Sequence, residues 1–505
     1  MANPLHDRLF GRHAGKDTPF LHLPDGATLS HDAFLRLAAR YAHAFVAAGL
    51  RPGDRLALQV EKSPQALAIY AAAVQAGIVF LPLNPAYTAD ELGYFVSDSG
   101  ARLLICDPAR AEALRPVAAG AGAAMLTLGA DGAGTLAEAA AGQPESFDTV
   151  ARRGEDLAGL LYTSGTTGRS KGAMMTQTNL LSNAEVLVDY WRFTEADVLL
   201  HALPIFHTHG LFVATNVMLL AGGPMIFLPK FDLDQVIAHL PRATAMMGVP
   251  TFYTRLLDDP RLTRDLVAHM RLFISGSAPL LAETHEAFAA RTGHRILERY
   301  GMTETNMNTS NPYEGARRAG TVGFPLPGVE LRITDPETGA ELPQGEVGMI
   351  EVRGPNVFKG YWNMPEKTAE ELRENGFFIT GDIGVIDARG YVSIVGRAKD
   401  LIISGGYNIY PKEIELLLDE QPGVLESAVV GVPHPDFGEA VLGFIVPQKG
   451  AAPDPDAIMA AVGPRLARFK HPRRLIVLDE LPRNTMGKVQ KNVLRAEYRG
   501  LFAAG

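Results

Sequence analysis

The chain has 505 residues, of which 47% are hydrophobic and 20% are charged, and its formal net charge is −9. This length predicts at least two packed units, and the acidic balance excludes a general nucleic-acid-binding protein, whose surface would be basic. The single cysteine, Cys106, excludes an intramolecular disulfide and a cysteine-based zinc cluster, so we expect a cytoplasmic protein in a reducing compartment.

The beginning of the chain indicates no export signal, and its long apolar stretches do not predict membrane helices. Residues 1–17 carry scattered charges and lack an apolar core of signal-peptide length. Residues 67–83 and 210–229 are apolar, but Gly, Pro, Gln or Asn interrupts each stretch. Each is better interpreted as a buried helix that leads into a buried strand, so no membrane partner is expected.

Between residues 30 and 330, alanine-rich amphipathic segments alternate with short apolar segments. The apolar segments have the length and composition of buried strands and lie at residues 55–60, 78–83, 102–107, 225–229 and 271–276. This alternation predicts an α/β fold with parallel sheets covered by helices. After Gly328, short strands separated by turn residues predict a more antiparallel, β-barrel-like part of the same large unit.

A third pattern begins after Gly396. The charged segment 397–400 is followed by a Gly-Gly turn, a helical pattern, an apolar strand and a final helix. We therefore predict a large domain at residues 1–398 and a small α+β domain at residues 399–505, which is a common domain size. Lys399 is the predicted hinge between the two domains.

The most informative segment is the apolar strand at residues 158–162 with the loop TSGTTGRSKG at residues 163–172. Its glycines allow a tight turn with converging backbone N–H groups, its hydroxyl groups add donors, and Arg169 and Lys171 add positive charge. Such a loop suits a polyphosphate, although a surface linker has a similar composition. The spacing does not match the Walker pattern, so the loop does not indicate a P-loop NTPase.

Five further segments follow the phosphate loop in a characteristic order. The six segments are YTSGTTGRSKG at 162–172, LPIFHTHG at 203–210, YGMTET at 300–305, ITGD at 379–382, GRAKDLI at 396–402 and PRNTMGK at 482–488. Together they resemble the signatures of the adenylate-forming superfamily, which contains acyl-CoA synthetases, nonribosomal-peptide adenylation domains and beetle luciferases. The resemblance covers almost the whole chain and implies a large N-terminal domain with a small, mobile C-terminal domain.

The resemblance implies an enzyme that activates a carboxylic acid with ATP and transfers the acyl group to coenzyme A. In that family the carboxylate attacks the α-phosphate of ATP, pyrophosphate leaves, and a thiol then displaces AMP. Because the first step brings anions together, it needs cations and oriented donors more than a base. Mg²⁺ is the implied metal cofactor. No covalent nucleophile is needed, and the chain has no GxSxG elbow.

By the same resemblance, several motifs bind the nucleotide. Tyr300 is implied to stack on adenine, Thr303 to contact the α-phosphate, and Glu304 to bind Mg²⁺. Asp382 is implied to accept hydrogen bonds from the ribose hydroxyls, and Arg397 to contact ribose or phosphate. Each has a structural alternative, such as a turn aspartate or a surface ion pair. The loop residues implied in ATP binding are Thr163, Ser164, Gly165, Thr166, Thr167, Gly168 and Lys171.

Lys488 is implied to bridge the acid carboxylate and the α-phosphate, and so to act in catalysis with Thr303, Glu304 and His207. A solvated lysine is the alternative. Acetylation would remove this charge and is expected to stop adenylation, which makes a lysine acetyltransferase and a deacetylase candidate partners. His207 is implied to border the acyl pocket and thiol channel. A metal site at His207 and His209 is disfavoured because no third ligand has suitable spacing.

The small domain is expected to rotate about Lys399 between the two half-reactions. Rotation would present the turn containing Gly405 and Gly406 to the active site. The absence of side chains there would let the pantetheine arm of coenzyme A pass close to the backbone. An ordinary Gly-Gly turn explains the same residues.

The predicted acid follows from extra positive charge near the acyl pocket. Arg299 interrupts an apolar strand, and strand alternation places it on the face opposite Glu298 and Tyr300. Arg255 and Ser277 come from segments that line the same pocket in the family. Two guanidinium groups and a hydroxyl around a small pocket would match a second carboxylate, and malonate fits that arrangement. Pairing of both arginines with protein carboxylates is the alternative.

Segments 201–214 and 298–312 closely resemble those of malonyl-CoA synthetases, and this resemblance makes malonate the predicted substrate. Methylmalonate is a plausible second substrate, because a pocket discriminates one methyl group by only about 1–3 kcal/mol. The alternatives are an acetyl- or medium-chain acyl-CoA synthetase and a catalytically silent nucleotide-binding scaffold. The scaffold is disfavoured because Lys488, Glu304 and the glycine-rich loop are all present.

Overall fold

The structure is a computed structural model and describes residues 2–163, 170–404, 407–484 and 487–502. A π-helix spans His209–Thr215. In chain order the α-helices are α1 (Pro4–Leu9), α2 (His31–Ala47), α3 (Pro64–Gln75), α4 (Ala89–Ser99), α5 (Ala111–Gly120), α6 (Thr135–Ala140), α7 (Gln177–Tyr190), α8 (Asn216–Ala221), α9 (Leu233–His239), α10 (Pro250–Leu257), α11 (Ala282–Thr292), α12 (Pro365–Glu371), α13 (Pro411–Asp419), α14 (Pro455–Val462) and α15 (Lys491–Glu497).

The strands include the five apolar segments predicted before residue 330, which are confirmed. In chain order they are β1 (Pro19–His22), β2 (Thr28–Ser30), β3 (Arg55–Gln59), β4 (Val79–Pro82), β5 (Leu103–Cys106), β6 (Ala124–Thr127), β7 (Leu157–Thr163), β8 (Lys171–Thr176), β9 (Leu199–His201), β10 (Met225–Phe227), β11 (Ala245–Gly248), β12 (Leu272–Ser275), β13 (Leu297–Met302), β14 (Asn306–Ser310), β15 (Phe324–Pro325), β16 (Glu330–Thr334), β17 (Gly348–Arg353), β18 (Phe378–Ile386), β19 (Val392–Arg397), β20 (Ile402–Ser404), β21 (Tyr407–Ile409), β22 (Val424–His434), β23 (Gly438–Pro447) and β24 (Arg474–Val477).

The chain divides into two compact units, residues 1–331 with 352–378, and residues 332–351 with 379–505. In the first unit, a six-stranded sheet has the order β6-β5-β3-β4-β7-β8. Its neighbours are parallel except for β7 and β8, which are antiparallel. Strands such as β5 are buried along their whole length, as expected for a parallel sheet that is covered on both faces.

The helices that cover this sheet begin and end at residues suited to those positions. The side chain of Thr88 accepts a hydrogen bond from the backbone N–H of Glu91 and caps the start of α4, while the Glu91 side chain accepts from the N–H of Thr88. The helix ends at Gly100, whose φ of 59° lies in the left-handed region that glycine adopts at low cost. Local sequence therefore fixes where this helix begins and ends.

A nine-stranded sheet completes the first unit and carries several of the predicted site segments. Its order is β15-β14-β13-β12-β11-β9-β10-β1-β2. The pairs from β13 to β1 are parallel, whereas β13–β14, β14–β15 and β1–β2 are antiparallel. The carboxyl ends of parallel strands meet at one edge of a sheet, which is where α/β proteins bind ligands. The segments after β9, β12 and β13 share this edge.

The segment after Gly328 does not form the expected β-barrel-like part. Strands β16, β17, β18 and β19 form a sheet in that order, and β18 is antiparallel to β19. In the described part of the chain, no pairing joins β16 to β19, so the sheet is open and the barrel prediction was wrong. Four strands are fewer than the roughly five to eight that close small barrels.

The second unit contains a further five-stranded sheet with the order β21-β20-β23-β22, in which β24 pairs in parallel with β23. Together with α13, α14 and α15, it gives the predicted small α+β architecture. Lys399 lies in a single 3-10 turn, Ala398–Asp400, between β19 and β20. Because β18 and β19 belong to this same unit, the units divide differently from the expected boundary at residues 398 and 399. The hinge stays a prediction.

The two long apolar stretches each form a helix followed by a strand, as predicted. Residues 67–83 contain most of α3, which is buried, and then β4. Residues 210–229 contain most of the π-helix, then α8 and β10. Within the described residues, no helix is both long enough and apolar enough to cross a membrane.

Candidate active site

The glycine-rich loop joins β7 to β8, two antiparallel strands of the six-stranded sheet. Thr163, the last residue of β7, pairs with Lys171, the first residue of β8, and the Thr163 hydroxyl donates to the Lys171 carbonyl at 3.4 Å. The pairing holds the two described ends of the loop side by side. The remaining predicted ATP ligands of the loop lie outside the described residues and are Ser164, Gly165, Thr166, Thr167 and Gly168.

The ammonium group of Lys171 already has a carboxylate partner. Its Nζ lies 3.1 Å from Oε1 and 3.2 Å from Oε2 of Glu371, and 4.2 Å from the centre of the Tyr361 ring. The side chains of Lys171 and Glu371 are 19% and 22% exposed, so water screens this pair only in part. An incoming phosphate would therefore compete with Glu371 for Lys171.

Tyr361 connects this ion pair to Glu304, the predicted Mg²⁺ ligand. Its hydroxyl lies 2.6 Å from Oε2 of Glu371 and 3.0 Å from Oε1 of Glu304, which is buried. Burial and the two carboxylates raise the pKa of Tyr361, so the phenol keeps its proton. Burial opposes ionisation of Glu371, but hydrogen bonds from Tyr361 and Lys367 and the charge of Lys171 outweigh it and lower the pKa of Glu371.

The YGMTET motif runs from the end of β13 into a tight turn. The pairing of β13 with β14 is irregular between Tyr300 and Gly301. A Cβ atom at Gly301 would lie 1.8 Å from the carbonyl oxygen of Asn306, so glycine is required for this approach. The turn brings Glu304 to Tyr361. The nucleotide contacts of Tyr300 and Thr303 stay predictions.

Arg299 is a buried arginine with unmet hydrogen-bonding capacity. It lies in β13, is 3% exposed, and packs on Gly276, where a Cβ atom would lie 2.4 Å from its Cζ. Its Nε and Nη2 atoms are buried without a hydrogen-bond partner among the described residues. Burial lowers the pKa of the guanidinium group. A buried cation with free donors is costly unless an anion binds to it.

Ser277 and His209 lie next to this arginine. The Oγ of Ser277 is 3.1 Å from Nδ1 of His209, and Nε2 of His209 is buried without a hydrogen-bond partner in the described part of the chain. Burial, followed by the charge of Arg299, holds the pKa of His209 well below its usual value, so the imidazole is neutral. We call Arg299, Ser277 and His209 the arginine pocket.

From the sequence, His209 was weighed only as a possible metal ligand, and its place in this pocket was not predicted. The order of the strands could have indicated this place. His209 and Ser277 follow the ends of β9 and β12, and Arg299 lies in β13. These strands end at the same edge of one parallel sheet. His207 contacts the Phe206 ring, with ring centres 4.5 Å apart. Its role at the acyl pocket stays a prediction.

Arg255, the second predicted carboxylate ligand, is exposed on α10. Its Cζ lies 6.0 Å from the centre of the Phe231 ring. Tyr253, two residues earlier, is buried and contributes to the electrostatic environment of Arg299. Residues two apart on a helix point in nearly opposite directions. No hydrogen bond or ion pair joins Arg255 to the arginine pocket among the described residues, and its contact with the acid stays a prediction.

The two predicted ribose ligands of the second unit bind each other. Asp382 in β18 is the register partner of Arg397 in β19, and Nε of Arg397 lies 2.6 Å from Oδ1 of Asp382. Asp382 is 3% exposed, and its backbone N–H donates to Oγ1 of Thr380 at 3.0 Å. An ion pair was the structural alternative for Arg397, and a turn aspartate was the alternative for Asp382. The contacts of both residues with the nucleotide stay predictions.

Lys488 lies in a turn of the second unit and is exposed. Its backbone N–H donates to Oδ1 of Asn484 at 3.0 Å, and its carbonyl accepts from the N–H of Asn484 at 3.0 Å. These two contacts between Asn484 and Lys488 do not use the ammonium group. Gly405 and Gly406, the predicted coenzyme A channel, lie outside the described residues.

The described residues contain no group of three or more His, Cys, Asp or Glu side chains placed to hold a metal ion. Mg²⁺ often binds through one or two protein carboxylates and takes its other ligands from phosphates and water. The single buried carboxylate of Glu304 fits that mode. It does not fit a metal site built by protein ligands alone.

Comparison with known proteins identifies the family. The model of the AMP-binding enzyme family matches residues 11–362, and that of the AMP-binding enzyme C-terminal domain matches residues 413–488. This chain is a member of the AMP-binding enzyme family. The ATP-bound crystal structure of MatB from Rhodopseudomonas palustris is similar to this AMP-binding enzyme, with a TM-score of 0.98 and 58% identity over 99% of this chain and 100% of that chain.

Two curated relatives of this AMP-binding enzyme act on different acids. A malonate–CoA ligase from Arabidopsis thaliana is 36% identical over 480 residues, which cover 88% of this chain and 78% of the relative. A feruloyl-CoA synthase from Amycolatopsis sp is 38% identical over 478 residues, which cover 94% of both chains. The chain is thus an acyl-CoA ligase, and ATP and coenzyme A fit as its substrates. The overall sequence identity to these two relatives therefore does not show which acid this enzyme uses.

Proposed function

We propose that this enzyme joins malonate to coenzyme A, with cleavage of ATP to AMP and pyrophosphate and with malonyl-AMP as the intermediate. The observation that carries the choice of malonate is the buried guanidinium group of Arg299, whose Nε and Nη2 have no partner among the described residues. These two N–H groups form one side of the guanidinium fork and match the two oxygens of a carboxylate. A monocarboxylic acid would leave the charge buried and uncompensated.

Ser277 and His209 favour the same ligand. If Nδ1 of the neutral imidazole accepts a hydrogen bond from the Ser277 hydroxyl, then Nε2 carries a hydrogen that can be donated to the acid. If Nδ1 donates to Ser277, the serine hydroxyl is free to donate instead. The pair, with its 3.1 Å contact, thus keeps one donor available in either tautomer. A carboxylate bound by Arg299 would accept it.

The related proteins support this assignment in part. A malonate–CoA ligase is 36% identical, but a feruloyl-CoA synthase is 38% identical, so the two acids are not separated by overall similarity. Ferulate has a large aromatic group where malonate has its second carboxylate. A buried arginine without a protein partner suits the small dianion and opposes the aromatic acid.

In the proposed first step, one carboxylate oxygen of malonate attacks the α-phosphorus of ATP, and the bond to the pyrophosphate oxygen breaks. Pyrophosphate leaves with the bonding electrons. We assign Lys171 and the glycine-rich loop to the phosphates and Lys488 to the meeting of carboxylate and α-phosphate, because all the reacting groups are anionic. Glu304 would hold Mg²⁺, which when bound neutralises phosphate charge.

In the second step, the sulfur of coenzyme A attacks the acyl carbon of malonyl-AMP. The new C–S bond replaces the C–O bond to AMP, which leaves as a phosphate monoester, and the thiol proton passes to solvent. Arg299 would keep the distal carboxylate in place through both steps. The reacting end of the acid then changes partner while its other end stays fixed.

Methylmalonate is the proposed second substrate. It carries the same two carboxylates and adds one methyl group between them. Such a group changes binding by only about 1–3 kcal/mol unless it clashes with the pocket. The arginine pocket would bind both acids through the same distal carboxylate.

The test is ATP-dependent pyrophosphate release with malonate, methylmalonate, acetate, butyrate, octanoate and ferulate, followed by AMP formation with coenzyme A. Malonate is expected to give the highest kcat/KM. The variant Arg299→Met should lose about 100-fold in kcat/KM for malonate, equivalent to about 2.7 kcal/mol, and keep its activity with acetate. The exposed Arg295 provides the matched control, Arg295→Met, which should change neither activity.

A wild-type preference for octanoate or ferulate would contradict the proposal and support a fatty acyl- or aryl-CoA ligase. Thermal stabilisation by ATP without AMP formation from any acid would instead support a catalytically silent scaffold. If Arg299→Met and the wild type had the same kcat/KM for malonate, the arginine pocket would have no role in binding malonate.

A further inference from the structure

Lys62 is a buried lysine that the proposed mechanism does not use. Its Nζ lies 2.9 Å from Nδ1 of His201, 2.8 Å from the carbonyl oxygen of His201 and 2.9 Å from that of Leu203. The Phe227 ring centre is 4.2 Å away. In the described part of the chain no carboxylate pairs with this lysine. Burial lowers the pKa of Lys62 well below its usual value, which reflects the cost of placing this group on neutral acceptors alone. A lysine kept at such a cost indicates a specific role.

The second ring nitrogen of His201 shows where the imidazole proton lies. Nε2 is 2.8 Å from the carbonyl oxygen of Gly210, which can only accept. Nε2 therefore carries a hydrogen, and Nδ1 of the neutral ring accepts one from Lys62. Burial and the charge of Lys62 hold the pKa of His201 well below its usual value, in agreement with a neutral ring. Lys62 thus selects the tautomer that donates to Gly210.

These bonds hold both ends of a loop that we define as residues 203–210, which leads from β9 into the first residues of the π-helix. Lys62 binds the carbonyl of Leu203 at one end, and through His201 it holds the carbonyl of Gly210 at the other. The ends are in close contact, since a Cβ atom at Gly210 would lie 2.0 Å from the carbonyl oxygen of Pro204. His209, of the arginine pocket, is the first residue of the π-helix and directly precedes Gly210.

The backbone that carries His209 is not a regular α-helix. The π-helix His209–Thr215 replaces the regular helical hydrogen-bond pattern, and such segments are often found at functional sites. The carbonyl of Gly210 is held by two side-chain donors, His201 and the hydroxyl of Thr215 at 2.9 Å. The backbone next to His209 is therefore held by one side chain from outside the π-helix, His201, and by one from its last residue, Thr215.

We propose that Lys62 is a positioning residue for the acid substrate: by holding His201 and Leu203, it fixes His209 against Ser277 and Arg299. Lys62 acts through the loop and does not touch the acid. This inference rests on the proposed function, because it assumes that the arginine pocket binds the distal carboxylate of malonate. Loss of Lys62 should displace a ligand group without removing it, and displacements of about 1 Å can cost up to about 100-fold.

The test compares the wild type with Lys62→Met, which keeps an unbranched side chain and removes the donors. Lys62 and the exposed Lys230 line the same cavity of about 270 Å³, so Lys230→Met removes a charge there without breaking the loop contacts. Malonate-dependent exchange of pyrophosphate into ATP is measured without coenzyme A. We expect Lys62→Met to raise the KM for malonate at least about tenfold, with the KM for ATP within about twofold of wild type. Lys230→Met should change neither KM.

A purely structural role gives a different result. Fewer folded molecules would lower kcat and leave both KM values unchanged, which would overturn the inference. His201→Phe removes the same link while keeping Lys62, and it replaces Lys62→Met if that variant does not fold. Its KM for malonate should also rise, and an unchanged KM would overturn the inference. The double variant should show no larger effect than the stronger single one, because both changes break one chain of contacts.

The outcomes separate this inference from the proposed function. A wild-type enzyme that does not use malonate contradicts the proposed function. A wild-type enzyme that uses malonate, with Lys62→Met and His201→Phe showing the same KM for malonate, contradicts only the positioning role.

Discussion

The hydroxyl of Tyr361 lies 3.0 Å from Oε1 of Glu304, the carboxylate proposed to bind Mg²⁺. The same hydroxyl lies 2.6 Å from Glu371, which is paired with Lys171 of the phosphate loop. A phenol has one proton, so Tyr361 can donate fully to only one of the two carboxylates at a time. A phosphate that draws Lys171 away from Glu371 would therefore change the hydrogen bonding of Glu304.

Removal of this hydroxyl in Tyr361→Phe should raise the KM for ATP about tenfold. Glu304 would lose a donor that orients it, and a hydrogen bond to a charged group contributes about 1.5–3 kcal/mol. The measurement is pyrophosphate exchange at varied ATP and saturating malonate. Tyr70→Phe is the control, because it removes another buried phenol hydroxyl, which donates to Asn216 at 3.3 Å. Equal ATP dependence in both variants would show that Tyr361 does not orient Glu304.

Because the carboxyl group of Glu298 is buried, we expect the stability of the folded protein to depend on pH. Burial raises the pKa of Glu298 from 4.5 to about 8, and its Oε2 has no hydrogen-bond partner among the described residues. Between these pH values the folded state holds a proton that the unfolded state has released. The contribution of Glu298 to stability is therefore largest below pH 4.5 and is lost as the pH rises towards 8.

Glu298→Gln should remove this dependence. The stability of the variant relative to the wild type should increase from pH 5 to pH 8.5, by up to about 4 kcal/mol. Thermal unfolding at the two pH values measures the change. The exposed Glu283 on α11 gives the control Glu283→Gln, whose difference from the wild type should be nearly constant. A constant difference for Glu298→Gln as well would mean that Glu298 titrates normally.

The sequence predicted the parts of the fold that local pattern determines. The strands β3, β4, β5, β10 and β12 were found from short apolar segments, because a strand buried on both faces must be apolar along its length. The shape of the sheet after Gly328 was predicted wrongly. Short strands with turns occur in both barrels and open sheets, and the difference depends on whether the first strand meets the last.

The site was predicted less completely because its contacts join distant residues. Lys171 and Glu371 are 200 positions apart, and Ser277 and His209 are 68 apart. No sequence motif predicts a contact between residues that are so far apart in the chain. A residue such as Glu371, whose type is common on any helix surface, carries no local signal. Lys171 was predicted as a site residue from its motif, whereas its partner Glu371 could be identified only from the structure.

Arg299→Met should make the ligand-free protein more stable. The wild type buries a guanidinium group with unmet donors, and replacing a poorly paired buried charge with an apolar side chain is often stabilising by about 1–4 kcal/mol. Malonate should raise the Tm of the wild type and leave that of the variant unchanged. Arg291→Met is the contrast, because Arg291 donates to three backbone carbonyls at 2.6–2.7 Å and its loss should destabilise. A large decrease in Tm for Arg299→Met would indicate a protein partner for Arg299.

Acetylation of Lys488 should stop adenylation and spare thioester formation. The proposed role of its charge is confined to the first step, where carboxylate and α-phosphate meet, and loss of such a group costs roughly 100- to 1,000-fold. The backbone contacts between Lys488 and Asn484 do not use the ammonium group, so Lys488→Gln should fold normally. The two half-reactions are measured separately, as pyrophosphate exchange and as transfer from supplied malonyl-AMP to coenzyme A.

The matched control for this experiment is Lys449→Gln, which neutralises an exposed lysine in the same unit. It should affect neither half-reaction. Loss of both half-reactions in Lys488→Gln would point to a folding defect, which thermal unfolding would reveal. Equal rates of adenylation by acetylated and deacetylated enzyme would exclude Lys488 as the bridging charge, and a lysine acetyltransferase could then not regulate the enzyme through this residue.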